Sequence, residues 1–265
     1  MTLLTHLDLF TGIGGFALAA RWVGGIRTIG FCEIEDYGCR TLEQNFPGIP
    51  IYKDVRELHP NELISRDGRI DFLTAGFPCQ DLSVAGNQAG IEADRSGLFF
   101  QITRLSDEIY AYCGTRPALV LENVSNILAG DGESWARTVY GELACRGYCI
   151  EWKVVGAKDV GAPHRRLRWW AVCYMAHSNR NGFNQKRKSV SKAGSNGTLR
   201  NLGRTVERRL GGMVDGIPDW LDEPGDIPRV TTGQKNRVAR LKGLGNAVVP
   251  QVAMIPLMRL KEILL

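Results

Sequence analysis

Asp8-Leu9-Phe10-Thr11-Gly12-Ile13-Gly14-Gly15-Phe16 joins an apolar run at residues 3–10 to an alanine-bearing run at 17–23. The first run is short and continuous, as a buried strand requires, and the second reads as a helix. A glycine-rich turn between strand and helix lets backbone approach a ligand closely, with the helix N-terminus facing it. A second strand, predicted over 28–32, ends at Glu33. That position lies about 20 residues beyond the glycines, where an acidic side chain at a strand end is placed to bind ribose hydroxyls.

Gly12-x-Gly14-Gly15 lacks the later spaced glycine of the dinucleotide fingerprint. With no pyrophosphate to cradle, such a turn suits an adenosine linked to an amino acid. A glycine turn alone is often only a tight connection; Glu33 in register is what turns it into a nucleoside site.

Working outward, residues 36–46 read as a helix closed by Pro47-Gly48, and 49–52 as a short strand leading to Asp54-Val55. Asp54 is placed to meet an adenine ring and its amino group; it serves equally well as an N-cap before Val55. The run at 70–75 reads as a strand and feeds Gly76-Phe77-Pro78-Cys79-Gln80-Asp81-Leu82-Ser83. In an open α/β sheet, ligands bind outside the carboxyl ends of the strands. Cys79 there has the exposure that a nucleophile needs, although a cysteine in a tight turn can be merely a small apolar residue. The polar stretch 81–95 reads as a segment able to close over a substrate, and Ser96 as the cap of a helix over 97–112.

A strand at 118–121 ends in Glu122-Asn123-Val124, which a parallel sheet would bring to the rim that carries Cys79. The competing reading of Glu122 is a cap for the next helix. A helix at 134–146 and a strand at 148–155 precede Pro163-His164-Arg165-Arg166-Leu167-Arg168 and a strand at 169–174. Alternation places Arg166 and Arg168 on one face. Such pairs are commonly solvated; bordering an apolar strand, they also suit an anion or a base.

Composition sets outer bounds. At 265 residues, 44% hydrophobic and 23% charged, the chain has the make-up of a soluble globular protein with a substantial core. No run approaches the roughly 20 apolar residues of a membrane span, and no signal-peptide pattern is seen. Seven scattered cysteines suggest reduced thiols in the cytoplasm, and no Cys/His spacing predicts a metal. The net charge of +5 permits a polyanionic partner. Residues 179–212 are rich in Asn, Ser, Gly, Lys and Arg, either a solvated loop or a phosphate-tracking surface. Gly243-Leu244-Gly245-Asn246-Ala247-Val248-Val249-Pro250 then opens a helix running to Leu265.

Together these stretches resemble the cytosine-C5 DNA methyltransferases, most closely those of bacterial and phage restriction-modification systems. The resemblance rests on the segments beginning at Asp8, Gly76, Glu122, Pro163 and Gly245, in the family's order. It departs at His164, where the family commonly has glutamine. It implies an α/β fold: a class I, Rossmann-like S-adenosyl-L-methionine (AdoMet) domain over 1–177, a small irregular target-recognition region over 178–238, and a C-terminal segment, 239–265, that returns to the first domain.

The implied reaction methylates C5 of a cytosine flipped out of a specific double-stranded DNA sequence. The alternative is methylation of RNA cytosine, against which Phe77 before Pro78-Cys79 argues. By resemblance Cys79 is the nucleophile at C6, Glu122 serves N3, Arg168 binds O2 and Arg166 helps to position the site. Phe10, Gly12, Gly14, Phe16, Glu33, Asp54, Phe77, Leu98 and Asn246 are expected to hold AdoMet. A cognate restriction endonuclease, a monomeric state and no membrane association complete the expectation.

Overall fold

A computed structural model describes residues 3–78, 97–128, 132–176 and 237–265. Cys79, the segment 81–95, and all but the last two residues of the expected recognition region lie outside the described residues. The chain divides into two units, 1–176 with 235–265 and 177–234, and every described residue belongs to the first.

Strand and helix alternate through most of that unit: β1 (Leu4–Leu9), α1 (Gly15–Val23), β2 (Ile26–Cys32), α2 (Asp36–Asn45), β3 (Ile51–Tyr52), α3 (Asn61–Asp67), β4 (Phe72–Gly76), α4 (Leu98–Cys113) and β5 (Ala118–Val124). Then come α5 (Gly132–Cys145), β6 (Tyr148–Val155), β7 (Arg168–Met175), α6 (Arg237–Asn246) and α7 (Pro250–Leu264). The seven strands form one sheet in the order β3-β2-β1-β4-β5-β7-β6. β3, β2, β1, β4 and β5 run parallel, and β7 is antiparallel to both its neighbours.

Alternation along the strands sends side chains to two buried faces. Leu7, Leu9, Leu73, Ala75, Leu119 and Leu121 pack with Leu63, Phe99, Ile102 and Leu105 on one side. Phe72, Ala118 and Val120 pack on the other with Phe16, Ala20, Val252 and Leu257. Helices therefore cover both faces, which accounts for the near-continuous apolar runs in the central strands.

The strand order reverses between β1 and β4, so the connections leaving their carboxyl ends run in opposite directions and leave a crevice, the usual ligand position in such sheets. Two elements differ from the sequence reading. The helix α3 buries only Leu63, too few apolar positions to show a helical period. The C-terminal segment is two helices rather than one, because α6 ends at Asn246 and a new helix starts at Pro250. Gly243 and Gly245 in the last turn of α6 lower its intrinsic propensity and hide it from a sequence reading.

Candidate active site

The crevice opens into a cleft of about 940 Å³. Phe10, Gly12, Glu33, Asp54, Phe77, Leu98, Glu122, Arg166, Arg168 and Asn246 all line it, as does Pro78, the residue before Cys79. Gly14 and Phe16 are placed elsewhere. Gly14 caps α1 with φ 92, and a Cβ there would stand 2.6 Å from the Phe46 ring, so it shapes the turn without walling the cleft. Phe16 is buried edge-on against Trp170 in the core.

One end of the cleft is built by the first two strand ends. Glu33 is buried; its Oε2 accepts the Gly12 N–H at 2.6 Å and its Oε1 accepts the Glu35 N–H at 2.7 Å. Burial raises its pKa, and these backbone donors oppose the rise. The two bonds fix the carboxylate plane and still leave lone pairs free. Gly38 makes the arrangement possible, because a Cβ there would lie 2.7 Å from Gly12 O and 2.8 Å from Glu33 Cγ. Asp54 faces the cleft while accepting the Arg56 backbone N–H at 2.9 Å and pairing with the Arg56 guanidinium. Residues 55–57 form a turn and not a helix, so Asp54 is a cleft residue whose Oδ1 closes a local turn, and the N-cap reading does not hold.

The other end holds Glu122 and two arginines. In the parallel pairing of β4 and β5, Gly76 sits opposite Glu122, and a Cβ at Gly76 would lie 3.2 Å from Glu122 Oε2. Arg168 Nε lies 3.0 Å from Glu122 Oε1. Burial pushes the Glu122 carboxyl up to about 7, with Arg168 and then Arg166 pulling it back. A carboxyl poised there can hold or release a proton near neutral pH. Asn123 Nδ2 donates to Phe77 O at 3.2 Å, fixing the backbone two residues before Cys79.

The expected alternation of Arg166 and Arg168 does not hold. β7 begins at Arg168, and Arg166 sits before it in the left-handed region with φ 36. The chain is pinned there by the Ala157 N–H, which donates to Arg165 O at 2.8 Å. Arg168 turns to Glu122, whereas Arg166 donates to Gly245 O and Ala247 O, both at 2.7 Å.

Sequence reading missed Ile34, Lys53, Tyr37, Asn123 and Lys242 in the lining. Ile34 had a visible signal: an apolar residue between two acids at a strand end, and it is 63% exposed at the cleft. Lys242 had none, since its place depends on α6 docking against α2. Among the described residues no group of three acidic, His or Cys side chains could hold a metal, and no helix is long and apolar enough to cross a membrane.

A mostly parallel seven-stranded sheet, helix-covered on both faces, with a cleft at the strand-order reversal, is a Rossmann-like methyltransferase fold. The chain belongs to the C-5 cytosine-specific DNA methylase family, whose profile matches residues 4–212. It is 37% identical over 165 residues to the Type II methyltransferase M2.BsuMI of Bacillus subtilis, covering 61% of this chain and 40% of the relative. It is 32% identical over 184 residues to M.HhaI of Haemophilus parahaemolyticus, covering 69% and 53%. Among solved structures, a putative DNA modification methyltransferase encoded within an E. coli prophage superposes with TM-score 0.52 at 26% identity, covering 65% of this chain and 47% of that one. The chain thus spans about half the length of the curated relatives it matches.

Proposed function

We propose that this protein transfers a methyl group from AdoMet to C5 of a cytosine extruded from a specific double-stranded DNA sequence. The observation that carries the reading is Glu122: a part-buried carboxyl pushed up to about 7, paired with Arg168, on the strand end beside the segment leading to Cys79.

The cleft suits the cofactor. Glu33 offers oriented acceptors to a ribose diol, and a Cβ at Gly12 would meet nothing within 4 Å, so this turn faces open space. Phe10, Ile34 and Leu98 supply apolar surface for an adenine, Asp54 and Val55 border it, and Phe77 and Asn246 complete the wall. When bound, AdoMet supplies an electrophilic methyl group. The residues of the chain prepare the base. The Cys79 thiolate adds to C6 of cytosine, forming an S–C6 bond, and the displaced π electrons make C5 nucleophilic. Glu122 gives or shares a proton at N3 so that the ring accepts those electrons, and Arg168 binds O2 while holding Glu122 in place. Loss of the C5 proton after methylation returns electrons to the C5–C6 bond and expels the Cys79 sulfur. In a duplex the neighbouring bases cover the ring faces at which the thiolate and the methyl group must approach, and pairing occupies N3, so the base must leave the stack.

In the same proposal residues 1–177 are catalytic, 178–238 recognise the target and 239–265 complete the first domain. The enzyme works as a monomer in the cytoplasm, and a cognate endonuclease is its partner system. The Type II designation of its relatives supports that last point.

The test is methyl transfer to duplex DNA and to tRNA, together with trapping on DNA carrying 5-fluorocytosine, where the adduct cannot lose its C5 substituent. Methylation of duplex DNA and a denaturation-resistant complex are expected, and both should vanish in Cys79→Ser. Full turnover by that variant, or preference for tRNA, would refute the proposal.

A further inference from the structure

Lys242, Gly243, Gly245 and Asn246 line the cleft, and the segment 242–248 is held at each end. At one wall Lys242 Nζ donates to Glu35 Oε1 at 2.7 Å, and Gly243 lies so close to Tyr37 that a Cβ would stand 3.1 Å from its ring. Farther along, Val248 O approaches the start of α1, where a Cβ on Gly15 would lie 2.6 Å away. At the other wall a single nitrogen of Arg166 bridges the carbonyls of Gly245 and Ala247, the two residues flanking Asn246.

The Gly245 carbonyl lies in the last turn of α6, among those a helix leaves without an intrahelical partner. A cation there satisfies the orphan oxygen and complements the helix dipole. Arg166 has few alternatives: its left-handed backbone lifts it out of β7, and Arg168 occupies the nearer position on Glu122.

We infer that Arg166 is a positioning residue of the cofactor cleft: it clamps the strap 245–247 so that Asn246 faces the ligand, leaving the target base to Arg168. The inference rests on the cleft binding AdoMet, as proposed above. It divides two neighbouring cations between the two substrates, and it explains why the strap and the start of β7, far apart in sequence, share one wall.

The experiment compares Arg166→Ala, Arg166→Lys and Arg168→Lys in the full chain, with AdoMet affinity measured by calorimetry and kcat and KM by methyl transfer. Losing two bonds from a cation is expected to raise the AdoMet Kd and KM roughly tenfold or more in Arg166→Ala. Its kcat at saturating AdoMet should fall far less. Arg166→Lys, which keeps the charge, should recover part of the affinity. Arg168→Lys should show the reverse split. Hydrogen exchange of the free protein should show amides at 243–249 losing protection in Arg166→Ala while those of β1 and β4 keep theirs. An unchanged Kd with depressed kcat, or unchanged strap protection, would overturn the assignment. Failure of the unmutated protein to bind AdoMet would instead sink the reading of the cleft, a separate result.

Discussion

With its carboxyl at about 7, Glu122 is half protonated at neutral pH. If the protonated form assists attack at C6, kcat/KM should fall as pH rises through 7, by roughly tenfold from pH 6 to pH 8. Glu122→Gln cannot transfer a proton and should lower the rate about 10²- to 10⁴-fold, with this limb gone from the profile. The cause of the shift is separately testable. Burial raises the pKa and Arg168 opposes it, so removing that cation should move the carboxyl higher still. Charges about 4 Å apart at an effective dielectric of about 20 interact by roughly 4 kcal/mol, a ceiling of about 3 pKa units. Arg168 is 23% exposed, so solvent trims the effect to roughly 1–2 units. Carbon-13 NMR of labelled carboxyls in the free enzyme reads this directly in Arg168→Met. A limb that survives in Glu122→Gln at the same pH, or a carboxyl that moves down in Arg168→Met, would refute the reasoning.

Three further outcomes are expected. Burial pushes Asp8 up to about 8, so the folded protein holds a proton that the unfolded chain has released; stability is present below the unfolded pKa and declines as pH rises toward 8. Between pH 7 and 8 Asp8 should cost about 1 kcal/mol of stability as it approaches its folded pKa, with a smaller share from Glu122, and Asp8→Asn should remove most of that decline in thermal melts at pH 7 and 8; an equally steep variant would count against the buried acid. Gly38→Ala forces a Cβ against Gly12 O and should cost about 1–3 kcal/mol in urea unfolding while weakening AdoMet binding, and normal values of both would show that α2 can move aside. DNA affinity should fall steeply with salt because of the basic residues between 179 and 212; a flat response in fluorescence anisotropy would make them a spectator loop.

Much of this protein could be read from local chemistry. The strand–turn–helix around Gly12 and the strand ends at Glu33, Gly76 and Glu122 follow from hydrophobic runs punctuated by glycine and acid, because periodicity and turn geometry are short-range properties. Other features depended on packing. Phe16 and Gly14 sit in the motif that lines the cleft, yet the helix period sends one into the core and the turn sends the other against Phe46. A period-two reading of Arg166 and Arg168 assumed a strand that begins two residues later, because the Ala157–Arg165 hydrogen bond turns the chain first. Nor could any spacing rule bring Lys242 to Glu35 or Arg166 to Gly245, separated by 207 and 79 residues. Residue types and their local order determined which chemistry was available; only burial and long-range docking decided which carboxyl is held near neutrality and which cation meets which partner, since desolvation and charge proximity are properties of the folded arrangement.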